Sequence, residues 1–225
     1  MVLSDSTIAI LKNFSVINSS LLVKPGNVIA TVSPQKTVMA KATVPETFPK
    51  QFAIYELNRF IGTLSLFKDP ELNFDIDDHF VRIVSGKSKT NYTFADPSMI
   101  VSPPEKDIVF PATDVETEIS AEQLQKVIRG AGVLGLPDIV IAGEDNKISI
   151  VATNMKNPTT DNYIIELEGQ APYDFAAVFK AEHIFKLLPK NYKVSLTKKG
   201  IGRFVSDDLL YYIAVESTDS FYGEK

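Results

Sequence analysis

The sequence predicts an α+β protein made of two similar domains, each with an antiparallel sheet and two helices. The first observation is a block that occurs twice, an apolar strand running into a helix, at 52–67 and again at 173–188. The second is that predicted strands outnumber helices and are joined by short turns, which is typical of antiparallel sheets. The third is the length of 225 residues, which accommodates two domains of ordinary size. A repeat on this scale indicates a duplicated domain.

The first domain, 1–110, has the order helix, three strands, strand and helix, three strands. Its first helix is predicted to be capped by Asp5 or Ser6 and to run to about Asn18, with apolar residues on one face. The strands are predicted at 21–23, 28–32, 38–44, 72–76, 80–84 and 90–94, with the first strand–helix block between the third and the fourth. In that block the helix is expected to bury Leu57, Phe60, Leu64 and Phe67.

Residues 95–111 predict an extended connector between the two domains. The stretch contains four prolines, which break regular structure, and several apolar side chains that look exposed. These apolar residues are Met99, Ile100, Val101, Ile108 and Val109.

The second domain, 111–225, repeats the order of the first. Ser120 with Gln123 is a capping-box pattern that opens a helix through about Ala131. Strands are predicted at 138–142, 147–153, 163–168, 192–197, 202–205 and 210–215, with the second block, whose helix covers 180–188, in the middle.

Composition and charge restrict the function. Hydrophobic residues make up 44% of the chain, enough for a core, and the absence of cysteine excludes disulfides, thiol catalysis and cysteine-ligated zinc. We expect neither a leader peptide nor a membrane-spanning segment, and so no membrane partner. The net charge of -5 argues against nucleic-acid binding by overall charge, so the distribution of charge matters more.

The four predicted helices carry mostly basic side chains. Residues 7–18, 57–67, 121–131 and 180–188 contain six basic and two acidic residues. Lysine and arginine are good helix formers, which is one explanation, but a solvated face usually carries both signs. A weakly basic surface would attract DNA phosphates without reading bases. Lys180 is expected to face the core or to precede its helix. The candidate DNA-facing residues are Lys12, Arg59, Lys126, Arg129 and Lys186.

Motifs for catalysis or cofactors are weak. The sequence at 130–135 satisfies G-x-G-x-x-G, but it follows a helix and precedes a strand, the reverse of a dinucleotide site, and it is better explained as a helix end. His79 and His183 lie about a hundred residues apart, and neither has carboxylates at metal-ligand spacing. We therefore predict no catalytic residue, no metal and no cofactor.

Short stretches along nearly the whole chain match a known family in order and spacing. They are Leu11-Lys12-Asn13-Phe14 with Ile17-Asn18-Ser19, Ala53-Ile54-Tyr55 through Leu64-Ser65-Leu66, Ala95-Asp96-Pro97-Ser98, Phe110-Pro111, Thr117-Glu118-Ile119 with Leu124-Gln125, and Asn191-Tyr192-Lys193. In these residues the chain resembles the DNA polymerase sliding clamps, or processivity factors, of T-even-type tailed bacteriophages in the DNA clamp superfamily.

The resemblance implies a homotrimeric ring around duplex DNA, with the helices lining the hole and the sheets outside. Such a ring would tether the replicative DNA polymerase without sequence specificity and without being an enzyme. Further implied partners are a clamp loader and phage late-transcription factors, in the cytoplasm of an infected bacterium. The implied joint between subunits pairs a strand at 90–94 with one at 163–168. Its candidate residues are Thr90, Tyr92, Phe94, Tyr163, Ile165 and Leu167.

The resemblance also implies a pocket near the connector that receives a partner peptide with hydrophobic anchors. The candidate residues are Ile100, Val101, Ile108 and Val109, with Met39 and Tyr212 as further candidates. Each of them could equally pack the connector onto its own domain. One departure concerns Gly130-Ala131-Gly132, where the related helix carries a further basic residue, so DNA contact there is left open.

Two other function classes remain alternatives to a clamp. A small-molecule enzyme with a tandem α+β fold would require a concave pocket with convergent titratable groups. A structural oligomer without a role on DNA would pack its helices on another protein, and its helix faces would be more apolar.

Overall fold

A computed structural model describes residues 1–157 and 159–223. The chain divides into two compact units, Met1–Lys106 and Asp107–Lys225, so the boundary falls inside the predicted connector. Each unit combines antiparallel strands with two α-helices, which confirms the predicted α+β class.

The first unit has the predicted order of elements. They are α1 (Asp5–Ile17), β1 (Leu21–Val23), β2 (Gly26–Val32), β3 (Val38–Phe48), β4 (Phe52–Ile54), α2 (Leu57–Ser65), β5 (Glu71–Asn73), β6 (Phe80–Ser85) and β7 (Ser88–Thr93). Within this unit β1 pairs with β4, β2 pairs with β3, and β5, β6 and β7 form a sheet in that order, all antiparallel. A short 3-10 helix at Pro97–Met99 begins the connector.

Helix α1 begins one residue earlier than the sequence predicts. Ser4, rather than Asp5 or Ser6, is the N-cap, and its Oγ accepts a hydrogen bond from the backbone N–H of Thr7 at 3.2 Å. The Glu46 carboxylate on β3 accepts hydrogen bonds from the Ser4 N–H and the Thr7 hydroxyl. Burial would raise the pKa of Glu46, but these hydrogen bonds outweigh it and lower the pKa. A carboxylate at a helix start is also favoured by the helix dipole.

The core of the first unit lies between the two helices and the strands. Ile10, Leu11 and Phe14 of α1 and Phe60 of α2 are nearly inaccessible to solvent. Each such side chain contributes about 1.5–3 kcal/mol by burial. The rings of Phe52 and Phe74 meet below them, with centroids 5.1 Å apart.

The second unit repeats this plan and adds two strands. Its elements are β8 (Val115–Ile119), α3 (Ala121–Leu134), β9 (Asp138–Glu144), β10 (Lys147–Thr153), β11 (Tyr163–Leu167), β12 (Phe175–Lys180), α4 (Ala181–Ile184), β13 (Tyr192–Thr197), β14 (Ile201–Ser206), β15 (Leu209–Ala214) and β16 (Phe221–Tyr222). One antiparallel sheet has the order β11-β10-β9-β12-β16, and a second contains β15, β14, β13 and β8 in that order. Strands β8 and β16 were not predicted, although the burial of β8 alternates along the strand.

The two helices of the second unit differ from their predicted bounds. Helix α3 opens with the predicted Ser120–Gln123 capping box but runs to Leu134, three residues beyond the predicted end. Gly135, with φ of 64°, ends it in the left-handed conformation that glycine adopts without strain. Helix α4 is a single turn inside the predicted range, so the predicted bounds of 180–188 are wrong. Lys180 is the last residue of β12 and precedes the helix, which was one of the two positions predicted for it. Its ammonium lies 2.9 Å from Asp138 Oδ1.

Candidate nucleic-acid interface and partner surfaces

Helices α1 and α2 of the first unit pack side by side and carry one exposed basic side chain each. Lys12 lies on the solvent face of α1, and among the described residues it forms no ion pair. Arg59 of α2 lies 3.8 Å from the Glu56 carboxylate, and both side chains are more than half exposed. An ion pair in such surroundings is weak because water and salt screen it.

Helix α3 carries the basic residues of the second unit. Lys126 and Arg129 are both exposed, as the sequence predicts. The Lys126 ammonium lies 2.6 Å from Glu122 one turn earlier, and this contact raises the pKa of Lys126. Arg129 forms no ion pair within the part of the chain that the structure describes.

The basic excess predicted for the helices is much smaller with the observed bounds. Lys180 belongs to β12, Lys186 follows α4 in a turn, and α1 begins at an acid, Asp5. Within the described residues the four α-helices therefore contain four basic and three acidic residues, where the predicted helix bounds gave six and two. Lys186 is half-buried beside the buried His183, and burial together with Lys186 lowers the pKa of that histidine.

The predicted joint strand of the first unit is the edge strand β7. Within the described residues of this unit it pairs with β6 alone. Tyr92 faces the helix side, where its ring meets Phe60 at 5.0 Å and its hydroxyl donates to the Glu56 carbonyl at 3.3 Å. Thr90 lies on the same face and is half-buried. Phe94 lies one residue beyond β7, with its ring 5.1 Å from that of Phe52.

The predicted joint strand of the second unit, β11, is also an edge strand. It pairs with β10 alone among the described residues of the unit. Tyr163, Ile165 and Leu167 share the face covered by α3. Gly130 makes the close approach possible, because a Cβ at that position would lie 2.7 Å from Cδ1 of Tyr163. The helix therefore has no room at this position for a larger side chain.

The candidate residues for the partner pocket differ widely in exposure. In the first unit Ile100 and Met39 are each only 8% exposed, whereas Val101 is 44% exposed. The expectation that Ile100 is exposed is therefore wrong. In the second unit Val109 is 92% exposed and Ile108 is half-buried.

Tyr212 of the second unit belongs to a cluster that the sequence does not reveal. Its ring stacks on Phe110, with centroids 5.9 Å apart. The Arg203 guanidinium lies 4.6 Å from the centroid of Phe110, and its Nη2 donates to Ser195 Oγ. These contacts hold Phe110, the residue next to the exposed Val109, against the second unit.

The structure gives little support for a catalytic or metal site. Among the described residues no three His, Cys, Asp or Glu side chains are grouped as a metal ion would require. The G-x-G-x-x-G stretch covers the last turns of α3 and its cap, as expected for a helix end. A cleft of about 370 Å³ beside β7 holds Arg59 and a single carboxylate, that of Glu56. A larger cleft, of about 640 Å³, is lined by Glu118, Glu168, Asp207 and Lys193, and the described residues show no ion pair among these four. None of the described helices has the length and apolar character needed to span a membrane.

Two units with one order of elements, each with paired helices and an open strand edge, are features of the clamp fold. Solved clamps have the same fold. Proliferating cell nuclear antigen of Entamoeba histolytica gives a TM-score of 0.70 at 14% identity, over 93% of this chain and 94% of that one. The PCNA2–PCNA3 complex of Sulfolobus tokodaii gives 0.72 at 13% identity, over 96% and 98%.

Sequence comparison then identifies the family. A family model described as DNA polymerase processivity factor matches residues 4–102, and one described as gp45 sliding clamp, C terminal, matches 116–217. The sliding clamp of Escherichia phage RB69 is 35% identical over 227 residues, covering 96% of this chain and 97% of that protein. The sliding clamp of Vibrio phage KVP40 is 32% identical over 224 residues, covering 96% and 100%. The chain belongs to the phage sliding clamps, a family of DNA polymerase processivity factors, which confirms the resemblance seen in the sequence.

Proposed function

We propose that three copies of this chain form a closed ring around duplex DNA and that the ring holds the replicative DNA polymerase on its template. The observation that carries the proposal is the pair of open strand edges, β7 in the first unit and β11 in the second. An unpaired edge exposes backbone N–H and C=O groups that favour pairing with another strand. One edge in each unit allows a head-to-tail contact, and such contacts close into a ring when the rotation fits.

The mass of the assembly is the first test. Three chains of 24.9 kDa give a particle of about 75 kDa, which sedimentation or light scattering can measure over a range of protein concentrations. The expected result is a trimer whose fraction rises with concentration. A monomer at all concentrations, including about 100 μM, would refute the ring.

We place the DNA on the exposed helix faces. Lys12 and Arg129 are the strongest candidates for phosphate contact because both are exposed and neither has an ion-pair partner among the described residues. Arg59 and Lys126 can reach phosphates if they leave Glu56 and Glu122, and Lys186 contributes at the end of α4. Contacts to phosphate carry no sequence information, which suits a ring that must slide.

The DNA contacts are tested with the double variant Lys12→Ala, Arg129→Ala. The expected result is shorter products in primer extension with polymerase and clamp loader, at unchanged thermal stability. The matched control is the double variant Lys24→Ala, Lys199→Ala, which removes two exposed lysines outside the helices and the connector. If both double variants support the same product length as the original chain, Lys12 and Arg129 do not contact DNA.

We place the binding of partner peptides on the exposed apolar side chains of the connector, Val101 in the first unit and Val109 in the second. Polymerase, the clamp loader and phage late-transcription factors would use this surface inside the infected bacterium, and the clamp itself would catalyse no reaction. The variant Val109→Glu should weaken polymerase binding about 10-fold or more, since it places a charge where an apolar anchor docks. Unchanged binding would remove Val109 from this surface.

A further inference from the structure

We propose that β7 of one copy pairs with β11 of the next in a single antiparallel register, selected by charges on the outer face of the two strands. In this register Lys89 lies opposite Glu168, Asn91 opposite Glu166 and Thr93 opposite Ile164. The inference rests on the proposed ring and specifies the contact within it. It makes Lys89 and Glu168 determinants of how the subunits recognise each other.

The hairpin β6–β7 determines which backbone groups of β7 point to the open edge. Ser85 lies opposite Ser88 across a two-residue turn, and the N–H of Phe94 donates to the carbonyl of His79 at 2.8 Å. The even-numbered residues of β7 therefore hydrogen-bond to β6, since bonded and non-bonded pairs alternate along an antiparallel ladder. The N–H and C=O groups of Lys89, Asn91 and Thr93 point away from β6.

The same reasoning applies to β11. The hairpin β9–β10 turns at Asp145 and Asn146, so Glu144 and Lys147 form its closing pair. Residues of β10 that bond to β11 are then the even-numbered ones, which lie opposite Tyr163, Ile165 and Leu167. The backbone groups of Ile164 and Glu166 remain for the open edge, as does the N–H of Glu168 just beyond the strand. The carbonyl of Glu168 accepts a hydrogen bond from Thr117 Oγ1 of its own copy at 3.4 Å.

Side-chain faces reduce the possible registers further. Thr90 and Tyr92 face the helix side of β7, and Ile165 and Leu167 face the helix side of β11. A shift by one residue would turn the charged side chains of one strand toward the helices, so the permitted registers differ by steps of two. In the register with Lys89 opposite Glu168, every residue of β7 and of β11 has a residue of the other copy opposite it.

The charges of the two edges are complementary. Residues 80–94 contain three basic side chains and no acidic one, whereas 161–168 contain three acidic side chains and no basic one. Antiparallel pairing brings Lys89, near the start of β7, to Glu168, just past the end of β11; parallel pairing would separate them. Neither residue has an ion-pair partner among those described, while Glu166 already lies 3.1 Å from Lys147 of its own copy. Arg82 reinforces the match, because its Nε donates to Asn91, which faces Glu166 in this register.

Cysteine cross-linking tests the register directly, because the chain has no cysteine of its own. The double variant Thr93→Cys, Ile164→Cys places two thiols opposite each other, at a Cα separation of about 5.5 Å that suits a disulfide. Mild oxidation should convert it to covalent dimers and trimers on a non-reducing gel. The matched controls are Asn91→Cys, Ile164→Cys and Thr93→Cys, Glu166→Cys, which are shifted by two residues in either direction. They should cross-link at least about 10-fold more slowly.

The outcomes separate this proposal from the ring itself. If a shifted pair cross-links as fast as Thr93→Cys, Ile164→Cys, the register is wrong. If sedimentation shows a trimer but that double variant does not cross-link, the register is also wrong, whereas the ring stands. If sedimentation shows only monomer, the proposed ring is refuted and the register with it.

Charge reversal tests the role of the ion pair. Lys89→Glu and Glu168→Lys should each raise the dissociation constant of the trimer about 5- to 30-fold, because like charges then face each other. The double variant should return it to within about threefold of the original value. Lys24→Glu is the control, since it changes the net charge equally at an exposed turn away from β7 and should leave assembly unchanged. If the two single effects add in the double variant, Lys89 and Glu168 do not face each other.

Discussion

Replacing Gly130 by alanine tests whether the close approach of α3 to β11 depends on a missing side chain. A Cβ at this position would lie 2.7 Å from Cδ1, 2.8 Å from Cγ and 3.2 Å from Cβ of Tyr163. These atoms are at the base of the side chain, so rotation of the ring about its own axis cannot relieve the overlap. Either the tyrosine leaves its rotamer or α3 and β11 move apart.

Gly132 in the same helix provides the matched control. A Cβ there would meet no atom within 4 Å. Alanine stabilises a helix by about 1 kcal/mol relative to glycine, so Gly132→Ala should raise the free energy of unfolding by up to that amount. Gly130→Ala gains the same helix stabilisation, but it also overpacks the site, which costs about 1–3 kcal/mol. The two variants should therefore differ by about 1–3 kcal/mol, with Gly130→Ala the less stable.

Urea unfolding followed by circular dichroism measures this difference. The protomer concentration has to be the same for all variants, because association stabilises the folded chain. Equal free energies of unfolding for Gly130→Ala and Gly132→Ala would refute the steric argument. If the proposed ring is correct, Gly130→Ala also weakens trimer formation while Gly132→Ala does not, since only the first displaces a residue of the β11 edge.

Two further predictions concern buried polar groups of the second unit. Lys180→Met should lower the free energy of unfolding in urea by about 2–4 kcal/mol, because it removes the ammonium that lies 2.9 Å from the Asp138 carboxylate. Asp138 is only 2% exposed, so water cannot replace that partner. A loss below about 0.5 kcal/mol would contradict this prediction. Burial raises the pKa of Tyr192, Tyr211 and Tyr222 above the ordinary 10.0, so the folded state keeps these phenols protonated while the unfolded chain ionises. Their stabilising contribution is present below about pH 10 and is lost as the pH rises above it. Tyr222→Phe, whose hydroxyl has no hydrogen-bond partner among the described residues, should weaken that alkaline loss at nearly unchanged stability at pH 7; an identical pH profile would contradict it.

The order of elements could be predicted from the sequence because the signals are local. Ser120 and Gln123 form their capping box with each other, and Leu57, Phe60 and Leu64 share a face through helical spacing alone. The end of α3 could not be predicted in the same way. Glycine is unfavourable inside a helix, so Gly130 and Gly132 suggested an end near Ala131. The helix nevertheless continues to Leu134. Gly130 lies where α3 comes too close to Tyr163 of β11 for a side chain, and this contact joins residues far apart in the chain.

The predicted bounds of the second helix in the second unit were wrong for a related reason. The pattern over 180–188 fits helical spacing, but Lys180 pairs with Asp138 of β9 as the last residue of β12, and the helix ends after one turn at Ile184. A strand partner 42 residues away therefore decides where the helix begins. Ile100 is a similar case, because the proline-rich surroundings suggested exposure while the fold buries it. The two edge strands, in contrast, came from the family resemblance, and no local signal would have shown that β7 and β11 are edges.

The observed charges favour a clamp that holds DNA by its shape. Two of the four exposed basic residues on the α-helices already form ion pairs. Arg59 pairs with Glu56 at the start of α2, and Lys126 pairs with Glu122 within α3. In the proposed complex these carboxylates would compete with DNA phosphates for the same cations, which would lower the affinity of each contact without removing it. Each phosphate contact steepens the slope of log K against log salt concentration by about 0.9. With few strong contacts, the affinity for DNA is therefore weak and depends little on salt. A linear molecule with such affinity would leave DNA quickly, whereas the proposed ring would dissociate only when one of its proposed β7–β11 joints opens. The complementary charges of these strand edges would thus matter more for retention on DNA than the basic residues of the helices.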